Sequence, residues 1–324
     1  MSAPSTPVKF GTRGSVLART QCGQVADAFS AATGRDVVLV EVSTQGDRSD
    51  APLATLGGTG VFVTALREAL LDGRVDVAVH SLKDLPTAPA EGITLAAVPL
   101  REDPRDVLVA RDGLTLGELP VGSTVGTGSP RRVAQIEALG LGLELVGVRG
   151  NVDTRIGKVG AGELDAVVLA RAGLARLGRT DEVTETLDPI QVLPAPGQGA
   201  LAVECRAGDP LAEELRTALD DRRTRVAVTC ERAVLAELEA GCSAPVGALA
   251  DVVEGDDGDE LWVRAVALST DGTLSVRRSA SGSTDDPVAV GRALAAEMLA
   301  EGAAQLIDPH HAEDPAPATA SERL

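Results

Sequence analysis

Aromatic side chains are nearly missing from this 324-residue chain: it has no tyrosine, one tryptophan and three phenylalanines. Its cores must therefore be built from Val, Leu, Ile and Ala. Long apolar runs are also missing. No stretch of 18 apolar residues occurs, and the opening MSAPSTPVKF lacks a charged segment followed by an apolar one, so neither membrane insertion nor export is expected and the chain reads as cytoplasmic. Cysteine and histidine are scarce. Cys22, Cys205, Cys230 and Cys242 show no CxxC or zinc-ribbon spacing, and two of the three histidines lie in the C-terminal tail; reduced thiols and no metal are the natural reading. Positive charge is outnumbered, with 30 Lys and Arg against 48 Asp and Glu and a formal net charge of -18. Nucleic acid and anionic membranes are thereby disfavoured as partners, since both repel such a chain at long range. A small anionic ligand is not excluded, because clustered arginines in a low-dielectric cleft override the global sign.

What the chain does have is alternation. The apolar runs VKFGT, VVLVEV, VDVAVH and ITLAAV alternate with helical-period segments beginning near Ser15 and Gly60. After PLREDPRD the theme restarts with VLVA, TVGTG, LELVGV and DAVVLA, with helices from Ser129 and Asn151. Two α/β units are predicted. They match each other faintly: GTRGSVLARTQ with GTGSPRRVAQ, and DGRVDVAVHSLKDL with AGELDAVVLARAGL. LAVEC, after the breaker cluster PAPGQG, is expected to return to the first sheet. From Asp221 a long helix leads into strands VGALADV, LWVRAVAL and TLSVRRSA and a final helix, an α+β unit with a small antiparallel sheet. The expected division is 1–99 with 200–219, 100–199, 220–307, and a Pro- and acid-rich tail 308–324 that reads as disordered.

Ser15 and Ser129 stand at strand-to-helix turns, where unpaired backbone N–H groups bind anions; the plain alternative is that each is only an N-cap. Arginines shift the balance. Arg13 flanks the first turn, Arg131 and Arg132 follow the second, Arg149 and Arg155 follow LELVGV, and Arg171 and Arg176 follow DAVVLA. In a doubly wound sheet these strand ends face one crevice, and several guanidinium forks together predict a polyanionic ligand; solvated helix-face charge is the alternative. HSLKDLP places Ser81, Lys83 and Asp84 on the equivalent loop of the first unit. Asp84 reads either as a turn former or as a carboxylate that steadies a developing cation and moves a proton, while His80 reads as a satisfied strand-end histidine. Cys242 lies in LEAGCSAPVGA, a tightly turned stretch where a thiol has little to pack against and is open to an electrophile.

Taken in order, GTRGS, GGTGVF, VDVAVHSLKDLP, REDPRD, VGTGSPRR, VRGNVDTR, ARAGLARLG, PAPGQGALAVECR and LEAGCSAPVG resemble the hydroxymethylbilane synthase, or porphobilinogen deaminase, family up to about residue 307. The resemblance implies two periplasmic-binding-protein-like α/β domains around a crevice, plus a C-terminal α+β domain. It implies a transferase of haem and tetrapyrrole biosynthesis, acting as a monomer, that joins four porphobilinogen molecules head to tail and releases ammonia and hydroxymethylbilane. The primer would be a dipyrromethane held by a thioether at Cys242. Asp84 would be catalytic, with Lys83, Asp84, Ser129, Arg131, Arg132 and Arg155 around the cofactor. Arg13, Ser15, Arg149, Arg155, Arg176, Phe62 and Gln198 would contact substrate. Hinges are expected near 99–104 and 194–199. The chain departs from the common pattern at Thr55, Thr59, Gly128 and Pro130, which puts lid contacts in question. Two rivals differ in kind: a non-catalytic periplasmic-type anion-binding protein, which leaves Cys242 unused, and a cysteine hydrolase, for which no histidine base is at hand.

Overall fold

The computed structural model describes residues 6–42, 60–241, 244–255 and 258–307. In chain order these form β1 (Val8–Thr12), α1 (Val16–Thr33), β2 (Val37–Glu41), α2 (Gly60–Leu71), β3 (Val77–Ser81), β4 (Ile93–Ala97), β5 (Asp106–Ala110), β6 (Thr124–Gly126), α3 (Pro130–Glu137), β7 (Glu144–Val146), α4 (Val152–Gly160), β8 (Ala166–Ala170), α5 (Arg171–Arg176), β9 (Glu185–Thr186), β10 (Leu201–Arg206) and α6 (Leu211–Leu219). A third group follows: α7 (Arg222–Glu237), β11 (Val246–Gly255), β12 (Gly258–Leu268), β13 (Ser275–Ser283), α8 (Pro287–Ala300) and α9 (Ala303–Ile307). Among the described residues no helix is long and apolar enough to cross a membrane.

Two five-stranded sheets share one plan. The first has the order β2-β1-β3-β10-β4 and the second β7-β6-β8-β5-β9. In each, the first three strands are parallel and the fourth is antiparallel to both neighbours. The faint sequence matches fall on equivalent elements, β1–α1 with β6–α3 and β3 with β8. Each antiparallel strand is delivered from the other lobe: β5 enters the second sheet straight after β4 of the first, and β10, carrying LAVEC, returns to the first after β9. Strands buried on both faces read as continuous apolar runs, and β5 is buried at all five positions. Val, Leu and Ala dominate the buried set, so the shortage of aromatics is met by many small side chains.

The chain crosses between the lobes at 98–105 and again at 187–200. The two crossings touch at Gly199, whose φ of 89° suits glycine and where an added Cβ would stand 2.3 Å from the Glu102 carbonyl oxygen. A buried ion pair fixes them to the third group: Arg101 donates to both oxygens of Glu231 on α7 at 2.6 and 3.0 Å. Glu231 also accepts from the backbone N–H of Gly197 at 2.6 Å and of Ala250 at 2.9 Å.

The antiparallel sheet β11-β12-β13 packs one face on α7, α8 and α9. Its other face meets the second lobe, where Leu249, Val266 and Leu268 bury against Ala134 and Leu193. The β12–β13 turn comes so close to α3 that a Cβ at Gly272, φ 71°, would lie 2.3 Å from the Ala134 oxygen. Helix α3, which opens with the Arg131–Arg132 pair, is thus braced from behind.

Candidate active site

Register brings the strand ends together. Leu201, where β10 begins, faces Ser81 at the end of β3, and Asp106, where β5 begins, faces Ala170 at the end of β8. The carboxyl ends of the parallel strands and the amino ends of both crossing strands therefore share one side of each sheet. The two sides are joined: Lys83, in the turn Leu82–Asp84 after β3, donates from Nζ to Gln198 Oε1 at 3.2 Å, and Gln198 Nε2 donates to Asp106 Oδ1 at 2.8 Å. Leu17 of α1 likewise approaches the Cβ position of Gly173 on α5, at 3.7 Å.

Asp106 is the centre of the cluster. It is fully buried (0% exposed), as are Gln198 (1%), Arg131 (3%) and Arg132 (5%). Arg131 donates from one terminal nitrogen to Asp106 Oδ2 at 2.8 Å and from the other to the Leu193 oxygen at 2.5 Å. Arg132 does the same to Asp106 Oδ1 at 2.7 Å and to the Val168 oxygen at 3.0 Å. The Nε atoms of both arginines are buried with no hydrogen-bond partner. Burial raises the Asp106 carboxyl, but the Arg131 and Arg132 charges override it and hold the group well below the usual carboxylate range. Two guanidinium groups thus share one carboxylate, leaving the cluster with surplus positive charge.

Around it the electrostatics agree. Withdrawal from water, reinforced by repulsion from Arg132, brings Lys83 down to about 8, with Asp84 and Asp106 opposing. Burial also lowers Arg155, as does the charge of Arg132. Arg155 Nε donates to the Gly150 oxygen at 2.9 Å, and Arg176 to the Gly199 oxygen at 2.6 Å, on the second crossing.

Other predicted positions fall as follows. Ser15 caps α1, its Oγ accepting from Ala18 N at 3.3 Å; Ser129 precedes α3 but its side chain makes no cap bond. Arg13 follows β1 and is half-buried, and Arg149 lies exposed beyond β7. Arg171 does not join the cluster: its guanidinium lies against Asp103 at 3.4 Å and Glu102 at 3.7 Å, two acids of the first crossing that match its charge. His80 stands 3.3 Å from Glu204, a contact short of hydrogen-bond geometry. Gly128 has a structural ground, since an added Cβ would meet the Val148 oxygen at 2.9 Å, and Pro130 opens α3 at a position where proline is tolerated. Cys242, Thr55 and Thr59 lie outside the described residues, as does the side chain of Phe62, which falls in the first turn of α2.

Sequence reasoning missed Asp106 and Arg232. Asp106 was visible as an acid leading the otherwise apolar strand DVLVA. Arg232, on α7, donates to the Leu85 oxygen at 3.1 Å and the Pro86 oxygen at 2.7 Å, in the two residues that follow Asp84 in the chain.

Fold and site define a class: a two-lobed α/β protein with a third α+β domain, whose crevice holds surplus buried positive charge. Family models sharpen it. Residues 8–214 match the porphobilinogen deaminase, dipyromethane cofactor binding domain, and residues 226–300 match the porphobilinogen deaminase C-terminal domain. A porphobilinogen deaminase of Mycobacterium marinum is 59% identical over 93% of this chain and 96% of that one. One from Mycobacterium tuberculosis is 60% identical over 93% and 98%. The chain belongs to the porphobilinogen deaminase family. The methionine-binding protein MetQ also matches over 65% of this chain and 89% of its own, at 12% identity and a TM-score of 0.41, a likeness too loose to bear on function. The family match does not support the alternative of a non-catalytic binding module.

The residues present fit a dipyrromethane. Its acidic side chains need cationic donors, and Arg131 and Arg132 each retain a buried N–H without an acceptor.

Proposed function

We propose that this chain polymerises porphobilinogen head to tail on a dipyrromethane primer tethered at Cys242, with Asp84 as its catalytic carboxylate. The observation that carries the site assignment is the excess of buried cations over buried carboxylate at Arg131, Arg132 and Asp106. Buried charge is costly unless matched, and a ligand rich in carboxylates supplies the match.

The bound primer supplies a nucleophilic pyrrole carbon. The protein's own residues do the rest. Lys83, Ser129, Arg131, Arg132 and Arg155 hold acidic side chains of the primer, and Arg13, Ser15, Arg149, Arg155, Arg176, Phe62 and Gln198 receive the incoming unit. When that unit loses ammonia its ring becomes cationic, and the Asp84 carboxylate stabilises the charge through the ring N–H. Carbon–carbon bond formation is completed by loss of a ring proton, which Asp84 accepts. Each addition brings further carboxylates, which the arginines neutralise while the crossings at 99–104 and 194–199 allow the lobes to part. The reading carries with it a monomer working in the cytoplasm on a small-molecule substrate, with neither nucleic acid nor membrane as partner.

Intact mass under denaturing conditions tests it. The purified protein is expected to exceed its chain mass by two deaminated porphobilinogen units, and Cys242→Ser to show the bare chain. A bare chain in the parent, after incubation with porphobilinogen, would refute the reading.

A further inference from the structure

Asp106 is the hub of the buried network. It accepts from Arg131, Arg132 and Gln198, and Gln198 in turn accepts from Lys83. Four donors from three parts of the chain are therefore ordered around one carboxylate: the turn after β3, the start of α3, and the second crossing. Both arginines give one terminal nitrogen to Asp106 and the other to a main-chain oxygen, while each buried Nε has no partner. Without the carboxylate, two adjacent buried guanidinium groups would face each other with nothing between them, and repulsion would separate them. An asparagine there would restore only half the acceptors, and its own amide would oppose the donors of Arg131, Arg132 or Gln198.

We propose that Asp106 is a positioning residue that, without touching primer or substrate, orients Arg131, Arg132 and, through Gln198, Lys83 for carboxylate binding. This rests on the reading of the crevice as a carboxylate site. The contrary possibility is that Asp106 competes with ligand carboxylates for the arginines. The two differ in sign: a positioning residue slows loading when neutralised, and a competitor hastens it.

The test follows primer loading of primer-free protein by intact mass after adding porphobilinogen, for parent and Asp106→Asn. Loading in the variant is expected to slow on the order of a hundredfold, in line with loss of one partner from a buried charge cluster. A second readout is one that a purely structural defect would leave alone: the titration of Lys83, by NMR of isotopically dimethylated lysines assigned with Lys83→Arg. The groups facing Lys83 are Asp84 on its own turn, Arg131 and Arg132 on α3, and Asp106 on β5. Removing Asp106 takes away one of two attractions, so the Lys83 midpoint is expected to fall by roughly one unit.

If Asp106→Asn does not fold, the pair Arg132→Met and Asp106→Asn with Arg132→Met answers the same question. The double variant has the parental charge balance in the cluster, and Lys83 is expected to titrate lower in it than in the single variant. Equal or faster loading in the variant with Lys83 unmoved overturns the role of Asp106 while the parent still loads. Failure of the parent to load instead overturns the reading of the site beneath it.

Discussion

The two strands that cross between lobes each bring a buried carboxylate, and the two are matched differently. Glu204 on β10 receives both Nε and a terminal nitrogen of Arg67, at 2.9 and 2.6 Å, with His80 beside it. Asp106 on β5 receives one nitrogen from each of two arginines whose Nε atoms remain unpaired. Both are nearly inaccessible, at 3% and 0% exposure. Burial alone therefore does not mark function. What separates them is stoichiometry: one arginine in bidentate geometry closes the first cluster, whereas the second is left with charge and donors to spare, which is the condition for recruiting a ligand.

The comparison breaks most visibly on the crevice side. Asp84→Ala is expected to lower turnover by on the order of a thousandfold, the scale of a lost proton-transfer and cation-stabilising group, with melting nearly unchanged because Asp84 is half-exposed. Parental porphobilinogen consumption by this variant would remove Asp84 from the chemistry. Arg132→Met should lower primer loading by on the order of a hundredfold. Its fold should hold, since Asp106 would keep Arg131 in a one-to-one pair and Gln198 as donor. Full loading in that variant would place the ligand elsewhere.

On the Glu204 side the same kind of change should strike stability instead. The Glu204 carboxyl, pushed up by burial but pulled further down chiefly by the hydrogen bonds and charge of Arg67, lies at about 2 against an ordinary 4.5. A depressed carboxyl contributes stability above its unfolded value and loses it as pH falls toward its folded one. The contribution is about 3 kcal/mol, present at neutral pH and lost between about pH 4.5 and 2. Glu204→Gln should therefore unfold more easily at pH 7 and show a flatter acid limb in denaturant melts across that window, while its folded fraction still loads primer. An unchanged acid limb would mean that the Arg67 pair contributes nothing net.

Much of this architecture is legible from sequence because each strand is a short apolar run bounded by turn residues, and its period differs from that of the flanking helices. VKFGT, VDVAVH and DAVVLA lie where they read, and so do the arginines, since strand ends are fixed by the strands. α6 and the two-residue β9 escaped: DPLAEELRTAL carries Leu211, Leu215 and Leu219 at helical spacing, a signal left unused by a reading built on strand alternation, and a strand as short as β9 has no period. The site is less legible because its organiser is defined by distant partners. Asp106 meets Arg131, Arg132 and Gln198 at separations of 25, 26 and 92 residues, and only its place at the head of the apolar strand DVLVA sets it apart from the other acids of REDPRD.

The smallest expected effect tests the repeat itself. Ser15 and Ser129 hold the same place in the two lobes, before α1 and α3, and sequence offers the same two roles for each. The structure separates them: Ser15 Oγ accepts from Ala18 N at 3.3 Å, whereas the Ser129 hydroxyl makes no cap bond and its helix continues into two buried arginines. A cap hydroxyl is worth about 1 kcal/mol of helix stability. Ser15→Ala should then lower stability by about that amount, and Ser129→Ala by only a few tenths. Binding should show the reverse order at the cofactor, with Ser129→Ala slowing primer loading more than Ser15→Ala, whose effect should fall on the KM for porphobilinogen. Equal destabilisation by the two substitutions would mean that both serines are ordinary caps, and the asymmetry between lobes would then rest on the arginines alone.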